Sequence, residues 1–255
     1  MNWDLRYDMP PAFIHYLAHV TAAVVGDTHW ETEGPLVIPG IYTIRLNLDG
    51  KTYSQTVTVR NDPNSSATTA DLRALHDLEM KLYDGTKESW EGFHQVAAMR
   101  TSIADILSGN PPAEVAAARA LDAKLAALAG PTAFTAGPSG GGPRTAFSTI
   151  NGVEAEEGAV LVSMNGQLKE LDMSDIPPNP TKLAAWRHVC TDMRTAVTNW
   201  RDINAKDLIA LNPLLAKNNI KSIPTASPSL PIPVCTPAVG RPGGSRRKLI
   251  AIYLD

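Results

Sequence analysis

Three stretches of this 255-residue chain contain no proline: 71–107, 113–129 and 181–211. Proline lacks the backbone N–H and its ring clashes with the preceding turn, which costs about 3 kcal/mol inside a helix. These stretches are therefore where long helices are permitted. The 20 prolines fall between them, in a β module before them, and in a tail after them.

The apolar periodicity agrees. From Asp71 to Leu107, Leu72, Leu75, Leu78, Leu82, Trp90, Phe93, Val96, Ile103 and Leu107 recur at helical spacing. At 1.5 Å per residue this predicts a helix roughly 55 Å long, with Thr69 as its cap. Gly85 and Gly92, seven apart, fall near one face, where another helix can approach closely or the helix can bend. A second helix is expected over 113–129, Ala-rich with Val115, Leu121, Leu125 and Leu128 inward. A third covers about 148–172. The fourth starts near Thr181, with Leu183, Trp186, Cys190, Met193, Val197, Trp200 and Ile203 as a buried stripe, and Pro213 ends or kinks it. Four helices with short or polar connections predict an antiparallel bundle.

Residues 1–62 read as β structure. Ile41–Leu48 alternates, Asp49-Gly50 is a strong hairpin turn signal, and Thr52–Val59 returns. Counting residues 2–7 gives about three strands, whereas an immunoglobulin-type sandwich wants about seven. The predicted class is therefore α+β. A short, incomplete Ig-like antiparallel β module (1–62) precedes a helical bundle (63–223). A Pro-rich basic tail (224–255), expected to be disordered, follows. The tail holds six prolines and Arg241, Arg246, Arg247 and Lys248.

Lys plus Arg total 23 against 26 Asp plus Glu, a formal charge of −3. Near-neutrality provides no overall drive toward nucleic acid or an anionic membrane. No apolar run reaches the ~20 residues that span a bilayer. No signal peptide is visible, and a strand pattern beginning at residue 2 suggests a chain truncated at its N-terminus. Two cysteines cannot build a disulfide framework. Cys190 reads as a buried thiol on the fourth helix, and whether Cys235 pairs with it stays open.

Weak motifs read as structure. His15 and His19 have the i, i+4 spacing of a metal pair, but Tyr16-Leu17-Ala18 between them supplies no Glu base, so a loop is favoured. Gly140-Gly141-Gly142 lacks the Lys-Ser/Thr ending of a phosphate loop. His188 lies two residues from Cys190 and so faces elsewhere on a helix.

The order of motifs carries a resemblance. Residues 2–7 (Asn-Trp-Asp-Leu-Arg-Tyr), then Gly34–Leu46 with its Pro39-Gly40-Ile41-Tyr42, then Asp49–Gln55, resemble the Ig-like segment after the propeller in bacterial sortilin-like proteins. Those proteins carry BNR repeats and are often called glycosyl hydrolases. The Trp-Asp and Pro-Gly-x-Tyr pattern also resembles the Ig-like domain of flagellar hook-capping proteins. Asp71-Leu72-Arg73 and the Trp200–Asn212 segment are similar to the family's C-terminal region. The resemblance implies a secreted or periplasmic parent, with an upstream β-propeller domain as partner, and it carries over no catalytic residue.

Three functions follow as expectations. The first is a non-catalytic accessory or interaction region of such a parent. The second is a glycoside hydrolase, which needs two carboxylates facing across a sugar. Glu31 with Glu33, or Glu154, Glu156 and Glu157, are the nominees, each more simply a solvated stretch. The third is a carbohydrate-binding module stacking sugars on Trp3, Trp30, Tyr42 or Tyr53. No residue is assigned as catalytic, cofactor-binding or metal-ligating, and no cofactor is implied.

Overall fold

The structure, a computed structural model, describes residues 3–10, 33–109, 117–129, 160–171, 175–236 and 249–253. It is an α+β arrangement of a small β module and a helical bundle.

The hairpin forms where the alternation places it. Strand β1 (Gly40–Leu48) pairs antiparallel with β2 (Lys51–Val59), Leu48 opposite Lys51. Asp49 and Gly50 both take positive φ, 48° and 72°, which is the I′ geometry whose twist matches the flanking strands. The third strand is not residues 2–7. Residues 3–10 make one isolated antiparallel bridge, Arg6 with Leu36, secured by Tyr7 N–H to Pro35 O and Val37 N–H to Leu5 O. Gly34 permits this approach, because a Cβ there would overlap the Tyr7 carbonyl. The third strand comes from the far end of the chain. β3 (Leu249–Tyr253) lies parallel to β1, giving the order β2-β1-β3.

Helix α1 (Thr69–Ser108) runs 40 residues, about 60 Å. Its cap is Thr68, one residue before the expected Thr69. The Thr68 hydroxyl accepts from Asp71 N–H, and the Asp71 carboxylate accepts from Thr68 N–H, a reciprocal capping box worth about 1 kcal/mol. Leu75, Leu78, Leu82, Val96, Met99 and Ile103 form its buried stripe, while Trp90 and Phe93 are only half-buried. Against α1 pack α2 (Ala117–Ala129), α3 (Val160–Leu171) and α4 (Pro180–Asp202). The expected 113–129 and 148–172 helices are thus seen from 117 and from 160; the earlier parts of both lie outside the described residues. The bidentate Arg100–Asp122 pair ties α1 to α2, and Lys182 to Glu170 ties α4 to α3.

Helix α4 buries Trp186, Cys190, Met193, Val197 and Trp200, as its spacing predicts, and Val189 as well, while Leu183 is only half-buried. Pro180 opens it at a position where its missing N–H has no intrahelical partner, after an Asn179 cap. A π-turn, Ile203–Asp207, follows, and α5 (Leu208–Lys217) runs straight through Pro213. The helix therefore does not end at Pro213. Leu208, Leu211 and Leu215 are buried, and their burial holds the turn around the proline.

Residues 224–236 depart from expectation. Up to Thr236 the chain is a strap laid on the helices, with Ile223 and Leu230 buried, and Cys235 is bonded to Cys190. The first part of the expected tail is therefore packed structure, and Cys190 is a disulfide half rather than a free thiol. Residues 237–248, which hold the Arg/Lys cluster, lie outside the described residues.

At Gly85 a side chain of α3 lies directly against α1: a Cβ there would strike the thioether of buried Met164. Gly85→Ala gains about 1 kcal/mol of helix propensity but forces Met164 aside in a packed core, typically costing 1–3 kcal/mol. Urea denaturation is expected to show net destabilisation. Adding Met164→Ala should make Gly85→Ala neutral or stabilising in that background, a coupling of about 1 kcal/mol or more. Additive effects would disprove the contact.

Candidate functional site

Directly opposed residues of an antiparallel pair share a face. One face of the hairpin therefore carries Tyr42 opposite Val57, Ile44 opposite Gln55, Leu46 opposite Tyr53 and Leu48 opposite Lys51. Its base is covered: Tyr42 is 3% exposed, donates its hydroxyl to Ile38 O and meets Trp3 edge-on at 5.8 Å. Burial raises the Tyr42 pKa, with Tyr7 nearby adding to it. Toward the turn the cover runs out, and Leu48 and Tyr53 are 50% and 53% exposed. The opposite face shows Ile41, also exposed, among Thr43, Arg45, Thr56 and Thr58. Strand β2 is an edge with no strand beyond it among the described residues. A bare apolar tip beside an open edge is a surface suited to another β-rich body.

Beneath the hairpin base, a cleft of about 170 Å³ separates it from α1. Val37, Pro39, Val59 and Leu75 line it with His76 and Glu79, both nearly fully buried. Tyr7 packs over it, 5.7 Å from the His76 ring and 6.3 Å from Tyr83.

The nominated residues are scattered. Glu33 pairs with Arg6 at 2.6 Å, so it holds the 3–10 segment. Glu31, Glu154, Glu156, Glu157, Trp30, His15, His19 and Gly140–Gly142 lie outside the described residues. Trp3 donates its indole N–H to Arg6 O and is half-buried. Of the nominated aromatics that are described, Tyr53 is exposed. His188 points away from Cys190, 3.8 Å from Asp192. No group of three or more potential metal-ligating side chains occurs among the described residues. No helix among them is long and apolar enough to cross a membrane.

One pair of carboxylates went unnominated. Asp84 and Glu88 stand one turn apart on α1, Asp84 exposed and Glu88 half-buried. The Glu88 carboxyl is pushed up to about 7 by burial, with Asp84 adding repulsion, and burial raises Asp84 as well. The signal available was an i, i+4 acid pair beside the buried stripe. Such groups sit side by side, roughly 5–6 Å apart at Cβ, and not opposed across a substrate as glycoside cleavage requires.

The chain matches no protein-family model, and no curated protein or solved structure matches it.

A raised carboxyl pKa means the folded state binds the proton more tightly than the unfolded chain. Its stabilising contribution is full below the ordinary value near 4.5 and disappears as pH rises through about 7. Urea midpoints of the wild type are therefore expected to fall between pH 5 and 8, and Glu88→Gln should flatten that fall. Parallel profiles for the two proteins would show that Glu88 does not carry the linkage.

Proposed function

We propose that this chain is a non-catalytic accessory region whose hairpin docks a larger, exported partner, a β-propeller domain of the sortilin-like, BNR-repeat kind. The observation that carries this reading is the apolar hairpin face, covered at Tyr42 and bare at Leu48 and Tyr53. Exposed apolar faces of this kind are where partners bind. The Cys190–Cys235 disulfide supports export, since disulfides persist in oxidising compartments. The family resemblance supports the identity of the partner.

The test begins with the DNA upstream of the Met1 codon, where an in-frame propeller is expected. That propeller, expressed separately and titrated calorimetrically with the full chain, should bind. Leu48→Lys and Tyr53→Lys should each weaken binding about tenfold or more, as desolvated apolar anchors do. An upstream stop codon and promoter, or binding indifferent to both substitutions, would overturn the reading. So would hydrolysis of a glycoside panel by the purified chain that one carboxylate substitution abolishes.

A further inference from the structure

The strap, residues 221–236, is held by side chains of the bundle that bond its main chain. Asn212 brackets Ile223, donating to its carbonyl and accepting its N–H, both at 2.9 Å. Asn204 accepts Ala226 N–H at 2.9 Å. Gln95 donates to Pro228 O at 2.8 Å, and its own carbonyl is fixed by the Trp200 indole N–H at 2.9 Å. Arg201 closes on Leu230 O with two N–H groups, at 2.8 and 2.5 Å, and Arg194 donates to Pro233 O at 3.1 Å. The strap buries only two large apolar side chains, Ile223 and Leu230.

This is how an extended, proline-rich ligand is recognised. Prolines 224, 228, 231 and 233 pre-set an open backbone, remove donors that would need partners, and leave carbonyls for side chains to read. The strap also underfills its seat. A cleft of about 320 Å³ remains between it and the end of α4, lined by Trp200, Arg201, Asn204, Ile209 and Leu230. Its near end leaves α5 through Asn219, in the left-handed conformation at φ 56°. Its far end is fastened by the Cys190–Cys235 disulfide.

We infer that the face formed by Gln95, Arg194, Trp200, Arg201 and Asn204 is a binding site for an extended proline-rich peptide. The chain's own 221–236 segment occupies it, the disulfide is its latch, and with the latch open the same segment of a second copy takes the site. The segment already seated here, with Ile223 and Leu230 filling the face, has the matching backbone, which is why a second copy supplies the occupant. Opening requires a dithiol reductant. Its thiolate attacks the half-exposed Cys235 sulfur, and Cys190 leaves as thiolate and is protonated. The reductant's second thiol then closes its own disulfide and releases Cys235. Two electrons and two protons pass to the pair, leaving two thiols. The strap stays tethered to α5 in either state; latched at both ends it excludes a free copy, and opening the disulfide frees its far end to exchange.

Two measurements on the full chain test this. Hydrogen exchange, before and after dithiothreitol, should show protection of the Ala226 N–H, which Asn204 accepts, falling about tenfold or more on reduction while α4 keeps its own. A fluorescein-labelled synthetic peptide of residues 221–236 carrying Cys235→Ser stands for the second copy's strap. It should bind saturably to a full chain whose own strap is loosened by Leu230→Ser and Cys235→Ser, and not to the oxidised wild type. Arg201→Ala or Gln95→Ala in the loosened chain should weaken it about tenfold or more. Unchanged exchange on reduction would overturn the latch. No binding to a loosened chain with native circular dichroism, or binding indifferent to both substitutions, would overturn the site.

Discussion

A single helix of 40 residues sets the terms for everything else in this fold. About 60 Å of helix cannot stabilise itself in water, because most helical stability comes from packing an apolar stripe. The stripe from Leu75 to Ile103 has to be covered along its length, and the short helices are arranged to do that. α2 covers the end near Arg100, α3 crosses at Gly85, and α4 runs alongside with Ser89 meeting Met193. The capping box at Thr68 fixes where the helix begins. It therefore fixes how far the hairpin, which ends at Val59, stands from the bundle.

The bundle is closed by something that is not a helix. α4 carries two buried tryptophans, Trp186 and Trp200, and truncating such a side chain typically costs about 3–5 kcal/mol. Part of the cover over Trp200 is the strap, a proline-rich segment that cannot form a helix and is held by its carbonyls. Composition alone makes such a segment look unstructured. The guanidinium of Arg201 and the amides of Gln95, Asn204 and Asn212 change that, because each satisfies a main-chain group that would otherwise need water. The disulfide then anchors the end most prone to fray.

The β module stands in contrast. Its base is covered at Tyr42 by Trp3 and faces α1 across a cleft lined by His76, while its tip carries apolar side chains with nothing over them among the described residues. A rigid base and a bare tip suit a docking element. Glu88, half-buried beside Asp84, acts on stability instead, where burial raises its proton affinity and makes the fold sensitive to pH. The two features are separated along α1, so neither depends on the other's chemistry.

The hairpin was legible in the sequence because its determinants are adjacent residues: the alternation in 41–48, and Asp49-Gly50 tolerating positive φ. The helical stripes were legible for the same reason, down to the buried members of 186–203. The site was less so. Tyr53 was nominated with three other aromatics, and its exposure, unlike the burial of Tyr42 on the same face, depends on where α1 and residues 3–7 lie. The pairing of Cys190 with Cys235, the parallel addition of β3 to β1, the seating of the strap and the environment of Glu88 were decided only by the tertiary structure. Each depends on groups brought together by the packing of separate elements. Local pattern sets a residue's conformation and its face, while what stands opposite that face is set by the packing of the whole chain.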